Sequence, residues 1–364
     1  ALRPASRLLR GWGAPAAWRG GATAAAWGRR LPRQAATLEA CLHARGFAAV
    51  PAALVKELRD RTGASMGKCR EALSEEAGDV EKAVQWLRKR GVRSMEKRAA
   101  EAGEALLALG LGPSAGSIVE LRAETDFVTR GELFQRISLC LASANARRLE
   151  GPEALLEAEL GEEAAELRQV APGTTVAAAL LELGSVLGER LVLGQAQHLQ
   201  APPGGAVAGY VHPKQADGLP GTGRMAALVA LRPVPAEGCE PERLRASAAK
   251  LARHVVAAQP RYVSIASVPA ATLQREREAF KAAHVEQVGA QKAASLDEKT
   301  WTKVLDGKTQ RFYQDTVLMC QELVAPQAAG AEAKPMPVAE WLEAEAKAMG
   351  LEKLLVEDLR LASL

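Results

Sequence analysis

The 364 residues predict an α+β fold in three parts: an N-terminal three-helix domain, a core of two related α/β subdomains with antiparallel sheet, and a C-terminal helical arm. Three patterns carry that prediction. Residues 51–92 hold three short amphipathic segments separated by helix stops and caps. A strand-then-helix layout then occurs twice, the second copy about 110 residues after the first, with little identity between the two. Residues 269–324 read almost wholly as helix, with so short a break that the two halves should lie antiparallel.

Taken in order, Pro51 suits a first helical turn, and the helix it opens stops at Thr62-Gly63. Ser65 caps a second helix that runs to about Glu76, Gly78 breaks it, and Asp79 caps a third. Val80, Ala83, Val84 and Leu87 recur there at i, i+3, i+4 and i+7 as one apolar face, with Gly91 as the stop. Residues 92–103 are a charged connector of helical character. Strands are predicted over 106–111 and 117–123, around a Gly-Pro-Ser-Ala-Gly turn. A helix over 131–149 turns Leu133, Ile137, Cys140, Leu141 and Ala144 to a core, and the acidic, Ala-rich stretch to 170 reads as helix too.

After Pro172-Gly173, an apolar helix over 174–187 ends at Gly188. Strands are predicted over 191–198, 206–212 and 225–231, followed by a helix over 241–258 with Leu244, Ala248, Leu251 and Val255 on one face. The arm is expected to break around 289–296 and at Gly307. Residues 326–337 are a Pro/Ala/Gly linker, 338–349 an amphipathic helix carrying Trp341, and 351–364 a mixed tail of no assignable structure. The boundaries are therefore 1–47, 51–92, 93–171, 172–268, 269–325 and 326–364. The alternative for the core is one larger antiparallel sheet covered on one face by helices.

Composition separates the amino terminus from the rest. Residues 1–47 hold eight Arg, no Lys, one acid (Glu39) and one Ser (Ser6), the bias of a mitochondrial transit peptide, and Arg45-Gly46-Phe47 before Ala48 resembles a processing site. Without them, 39 of the 47 basic residues face 42 of the 43 acidic ones, a net charge of about −3. A nucleic-acid-binding domain should be basic after processing, so a protein partner is favoured over direct nucleic acid. No run approaches the eighteen or so apolar residues of a membrane-spanning helix, and no membrane partner is expected.

Several chemistries find no support. Gly63-Ala64-Ser65-Met66-Gly67-Lys68-Cys69 is one residue short of a phosphate-binding loop and has Cys69 where the magnesium-binding hydroxyl belongs. Cys69, Cys140, Cys239 and Cys320 are far apart, without a C-x-x-C pair, so neither a zinc site nor a disulfide framework is read. No acid/base pair, Ser/His/Asp set or His/carboxylate cluster is apparent. Neither an enzyme activity nor a cofactor is expected.

Two resemblances give the motifs meaning. The three-helix segment resembles a ubiquitin-associated (UBA) domain, with Met66-Gly67 in the first inter-helix loop and Ala83-Val84-Gln85-Trp86-Leu87 in the last helix. It is also similar to the amino-terminal domain of the elongation factor Ts family, which shares that fold and typically reads L-V-K-E-L-R-x-R-T-G-A-G-M; residues 54–66 read LVKELRDRTGASM. Thr125-Asp126-Phe127-Val128 matches the family's T-D-F-V element, although Thr129-Arg130-Gly131 replaces the usual Ala-Lys/Arg-Asn/Asp. Leu187-Gly188-Glu189 resembles its I-G-E turn, Gly209-Tyr210-Val211-His212 its S/G-Y-x-H element, and the Arg253-His254-Val255 segment a helix in which the His packs. The KTQRF run at 308–312 resembles the family's helix pair, but Gln321-Glu322-Leu323 replaces Q-P-F and the usual F-x-R-F-x-x-G ending is absent.

The resemblance implies a guanine nucleotide exchange factor acting on elongation factor Tu in mitochondrial translation elongation. Phe127, with Thr125, Asp126 and Val128, would be a wedge inserted near the partner's magnesium and nucleotide. Arg59, Met66, Leu187, Gly188 and His212 would be partner-binding. Gly67 stands where bacterial members often carry a second Met. The alternative is a UBA-type ubiquitin-binding adaptor gripping ubiquitin with the Met66-Gly67 loop and the Trp86 helix.

Overall fold

Alternation along the central strands dictates the architecture. The computed structural model describes residues 50–96, 98, 101–165, 167, 170, 173–212, 218–324 and 336–364. The predicted leader and most of the 326–337 linker lie outside them.

Helices α1 (Ala52–Thr62), α2 (Met66–Glu75) and α3 (Val80–Glu96) form the amino-terminal module. Its punctuation is as expected: Gly63 ends α1 at φ 70°, the Ser65 hydroxyl accepts from the Lys68 amide, and Asp79 accepts from the Lys82 amide at 3.1 Å. Val55, Leu58, Cys69, Ala72, Leu73 and Ala83 make its small core.

Next come β1 (Glu104–Leu111), β2 (Ala115–Ala123), the one-turn α4 (Asp126–Thr129), α5 (Glu132–Arg148), α6 (Pro152–Glu157), α7 (Val176–Leu187), β3 (Val192–Gln200) and β4 (Ala206–His212). A two-residue β5 (Thr222–Gly223), β6 (Met225–Val234) and α8 (Pro241–Ala258) complete the centre. The strands make two antiparallel sheets, ordered β3-β2-β1-β5 and β4-β6-β7, the last being β7 (Lys353–Ser363).

Period-two alternation then assigns each side chain a layer. Leu106, Ala108, Val119 and Leu121 face α5 and α7, whereas Leu107 and Ile118 point the other way and meet Val207, Ala226, Leu228 and Ala230 of the second sheet. Ala227, Val229 and Leu231 turn outward to α8 and Val338 and Leu342 of α12 (Val338–Ala348). The sheets thus pack face to face with helices outside both, which is why these strands read as nearly continuous apolar runs. The single-sheet alternative does not describe the molecule.

Several expectations are corrected. The strand grouped by sequence with the second subdomain, β3, hydrogen-bonds to β2 of the first sheet, so the boundary at 172 cuts through one sheet. Strand periodicity shows faces, not partners. The tail left unassigned is β7, paired along its length with β6. Among its described residues, the acidic stretch after α5 is helical only at α6 and at a 3-10 turn, Glu162–Ala164. Neither Gly91 nor Gly307 stops a helix: α3 runs through the first and α11 (Glu298–Thr316) through the second.

The arm is α9 (Ala270–Val288), the short α10 (Ala290–Ala294) and α11. Phe280 meets Phe312 edge-on at 6.4 Å and His284 meets Trp301 at 5.4 Å between ring centres. Its base is tied to the core by amides of Arg261 and Tyr262 donating to the Thr316 carbonyl. His254 of α8 adds a second tie. It is fully buried, its Nδ1 accepts from the Val324 amide at 3.1 Å, and its Nε2 lies 3.0 Å from Gln321 Oε1. With Nδ1 accepting, the ring proton sits on Nε2 and is donated to Gln321.

Burial pulls the pKa of His254 below its usual value. The unfolded chain therefore binds a proton that the folded chain refuses, and stability contributed by neutral His254 is present above about pH 6.5 and falls as pH drops from there. His254→Ala should lower stability at pH 7.5 by about 2–4 kcal/mol, through the orphaned Val324 amide and the cavity. Denaturant unfolding between pH 5 and 7.5 should show a smaller acid-side slope in the variant.

Candidate partner-binding site

Ala123 is the last fully buried residue of β2, and the chain must leave the sandwich at Glu124. Thr125 is extended (φ −130°, ψ 155°) and serves as the N-cap residue of α4. One helical turn then divides four side chains between two sides. Val128 packs on the first core and Thr129 is buried, its hydroxyl donating to the Asp126 carbonyl at 3.1 Å. Phe127 points outward and is 84% exposed, the most exposed of the large apolar residues described. Asp126 pairs with Arg130 at 3.2 Å, both side chains about half exposed, so the pair adds little stability and leaves the carboxylate accessible.

A one-turn helix has no stability of its own, so other groups must hold it. Thr125 does not cap α4 with its side chain, because that hydroxyl is donated to Glu189 Oε1 at 2.5 Å. Glu189 Oε2 accepts from the amides of Glu124 at 3.1 Å and Thr125 at 3.0 Å. In return Glu124 Oε1 accepts from the Arg190 amide at 2.7 Å, and Arg98 donates to Glu124 Oε2 at 2.7 Å. The Arg98 guanidinium and the Arg190 amide hold the Glu124 carboxyl below the usual carboxylate range. On the far side, buried Gln135 donates to the Arg130 carbonyl at 2.8 Å and accepts from the Leu219 amide at 2.6 Å.

Glu189 follows Gly188, which ends α7 at φ 80°. The same helix carries the amino-terminal module. A Cβ on Gly91 would lie 1.7 Å from Ser185 Oγ and 2.6 Å from Ser185 Cβ, so α3 approaches α7 where only glycine fits. Gly63 lies against Val186 in the same way, a Cβ there falling 3.0 Å from its Cγ1. This contact, not a helix stop, accounts for Gly91. Beside it lies a cleft of about 420 Å³ whose lining includes Arg59, Lys68, Trp86, Glu182 and Gly188. Burial raises the Glu182 carboxyl, with Arg88 4.0 Å away as partial compensation.

The residues singled out by sequence fall into two groups. Thr125, Asp126, Phe127 and Val128 form α4 and its cap, and Glu189 joins them to Leu187 and Gly188; Arg59 and Gly188 share the cleft, with Met66, 43% exposed, one residue past its Ser65 edge. His212 stands apart, exposed at the end of β4 and stacked on Tyr210 at 6.3 Å. Sequence reasoning missed Arg98, Glu124 and Glu189 as members of the site. Two acids flanking glycine- and threonine-containing turns were the available signal. Among the described residues, no group of three or more His, Cys, Asp or Glu side chains is assembled to hold a metal ion.

Gly91→Ala should pry α3 from α7 and lower stability by about 1–3 kcal/mol. Ser185→Gly in the same chain should restore much of the loss, as thermal unfolding of the single and double variants will read.

The family model described as elongation factor TS matches residues 124–332, more than half of the chain, beginning at Glu124. An elongation factor Ts of Rhodospirillum rubrum is 37% identical over 281 residues, covering 76% of this chain and 83% of the relative. Those of Rhodospirillum centenum, 34% identical, and Ehrlichia canis, 35% identical, cover 76% and 74% of this chain and 83% and 86% of themselves. With a solvent-exposed Phe127 braced by paired carboxylates and relatives of this extent, the chain belongs to the elongation factor Ts family.

Proposed function

We propose that this protein is the guanine nucleotide exchange factor of mitochondrial elongation factor Tu. The observation that carries the proposal is Phe127, an aromatic 84% exposed on a helix that cannot fold back over it, because Val128 and Thr129 already occupy the core side. Such a ring gains roughly 1.5–3 kcal/mol when a partner buries it, enough to drive a small helix shift in that partner. The three-helix module and the core embrace elongation factor Tu bound to GDP, and Phe127 enters an apolar pocket near the magnesium and nucleotide.

Displaced elements then hold magnesium and phosphates less well, and Asp126 brings negative charge to an anionic site. GDP leaves faster. Coupling is reciprocal, so the factor holds nucleotide-free elongation factor Tu more tightly than the GDP-bound form, and incoming GTP expels it. No covalent bond is made or broken. Residues 1–47, rich in Arg and poor in acid, support delivery to the mitochondrial matrix with removal after Phe47.

Release of a fluorescent GDP analogue from mitochondrial elongation factor Tu should be accelerated by residues 48–364, and Phe127→Ala should slow that release by about 10- to 100-fold, as loss of roughly 1.4–2.8 kcal/mol of wedge burial requires. No acceleration by the unaltered chain would overturn the proposal and bring ubiquitin binding forward. Fused to a fluorescent protein, residues 1–47 should carry it into mitochondria, and the mature chain should begin Ala48-Ala49-Val50; diffuse fluorescence would contradict this.

A further inference from the structure

The loop that carries Phe127 and the turn that ends α7 each satisfy the other's backbone with a carboxylate. Glu189 takes three donors from the loop: the amides of Glu124 and Thr125 and the Thr125 hydroxyl. Glu124 takes the Arg190 amide from the turn and the Arg98 guanidinium from the chain beyond α3. The Glu124 side chain is only 13% exposed, so its oxygens are directed into this network and away from solvent. Two segments joined by charge-assisted hydrogen bonds running in both directions cannot slide past one another without breaking both sets.

Resting on the exchange reading above, we propose that Glu189 and Glu124, steadied by Arg98, are positioning residues for Phe127. They fix the angle at which α4 leaves β2 before any partner arrives, so ordering the loop is not left to the binding step. Glu189 also sits two residues beyond the last residue of the helix on which the amino-terminal module rests, through Gly91 against Ser185. The orientation of the module and the direction of the wedge are therefore set by the same helix. These residues act on nucleotide release only through the ring of Phe127.

The test compares Glu189→Gln, Phe127→Ala and the double variant in GDP-analogue release from elongation factor Tu across a range of factor concentrations. A glutamine Nε2 cannot accept a hydrogen bond, so Glu189→Gln removes part of the clamp with little change of volume. Its maximal release rate should fall about tenfold while the half-saturating concentration moves by less than about threefold, and the double variant should be no slower than Phe127→Ala. Multiplied losses in the double variant, or a loss confined to the half-saturating concentration, would overturn the proposal.

A second arm needs no partner. In the free chain labelled with 4-fluorophenylalanine, the fluorine resonance of residue 127 should shift and narrow in Glu189→Gln. Thr125→Val, which removes one of the three donors to Glu189, should give a smaller change of the same sign. Unchanged resonances in both variants, with melting showing both folded, would overturn the positioning role. If the unaltered chain does not accelerate release, the exchange reading fails by itself while the fluorine arm still reads the clamp.

Discussion

Two carboxylates, each accepting from backbone amides of the opposite segment, decide where Phe127 points. Glu189 gathers the amides at the start of α4, and Glu124 returns the favour to Arg190. Without that exchange, a single helical turn at the end of a strand would sample many directions, because four residues cannot sustain a helix alone. With it, an exposed aromatic is carried on a fixed support. The distinction matters for the proposed exchange role: a mobile ring would lose in ordering entropy much of what it gains by burial.

The support is rigid because of what lies beneath it. β2 is buried on both faces, Val119 and Leu121 against the helices and Ile118 against the second sheet, so the strand that delivers Glu124 has no freedom to flex. α7 is likewise seated through Val176, Leu180 and Leu183. The remaining contact elements attach to the same sandwich at separate points. The three-helix module rests on α7 through Gly91 and Gly63, and the arm is fastened by the Thr316 carbonyl and by His254 with Gln321. Each is a projection with a small core of its own or almost none, which suits surfaces that gain their packing from a partner.

Much of this was legible in the sequence, for identifiable reasons. Helix ends were clear where a residue has one local job: Gly63, Ser65, Asp79 and Gly188 all punctuate as their chemistry suggests. Gly91 and Gly307 misled because glycine has more than one use, and only the approach of Ser185 shows which applies at Gly91. The strands were found as apolar runs set off by turn residues, yet their partners were not. β3 pairs backward with β2, and the tail 351–364 returns across the whole chain to pair with β6. Such long-range pairings leave no mark in a local pattern. The exposed Phe127 was anticipated from its motif, whereas Glu124 and Glu189 stayed hidden because their meeting joins positions 65 residues apart.

On the proposed exchange role, the Phe127 wedge is built before the partner arrives. A crystal structure of residues 48–364 with nucleotide-free elongation factor Tu tests it most directly. The Phe127 ring should be buried in the partner, the Glu124–Glu189 clamp intact, and the backbone of residues 123–130 within about 1 Å of the free form. A loop refolded on binding with the clamp broken, or a Phe127 ring still in solvent, would contradict it.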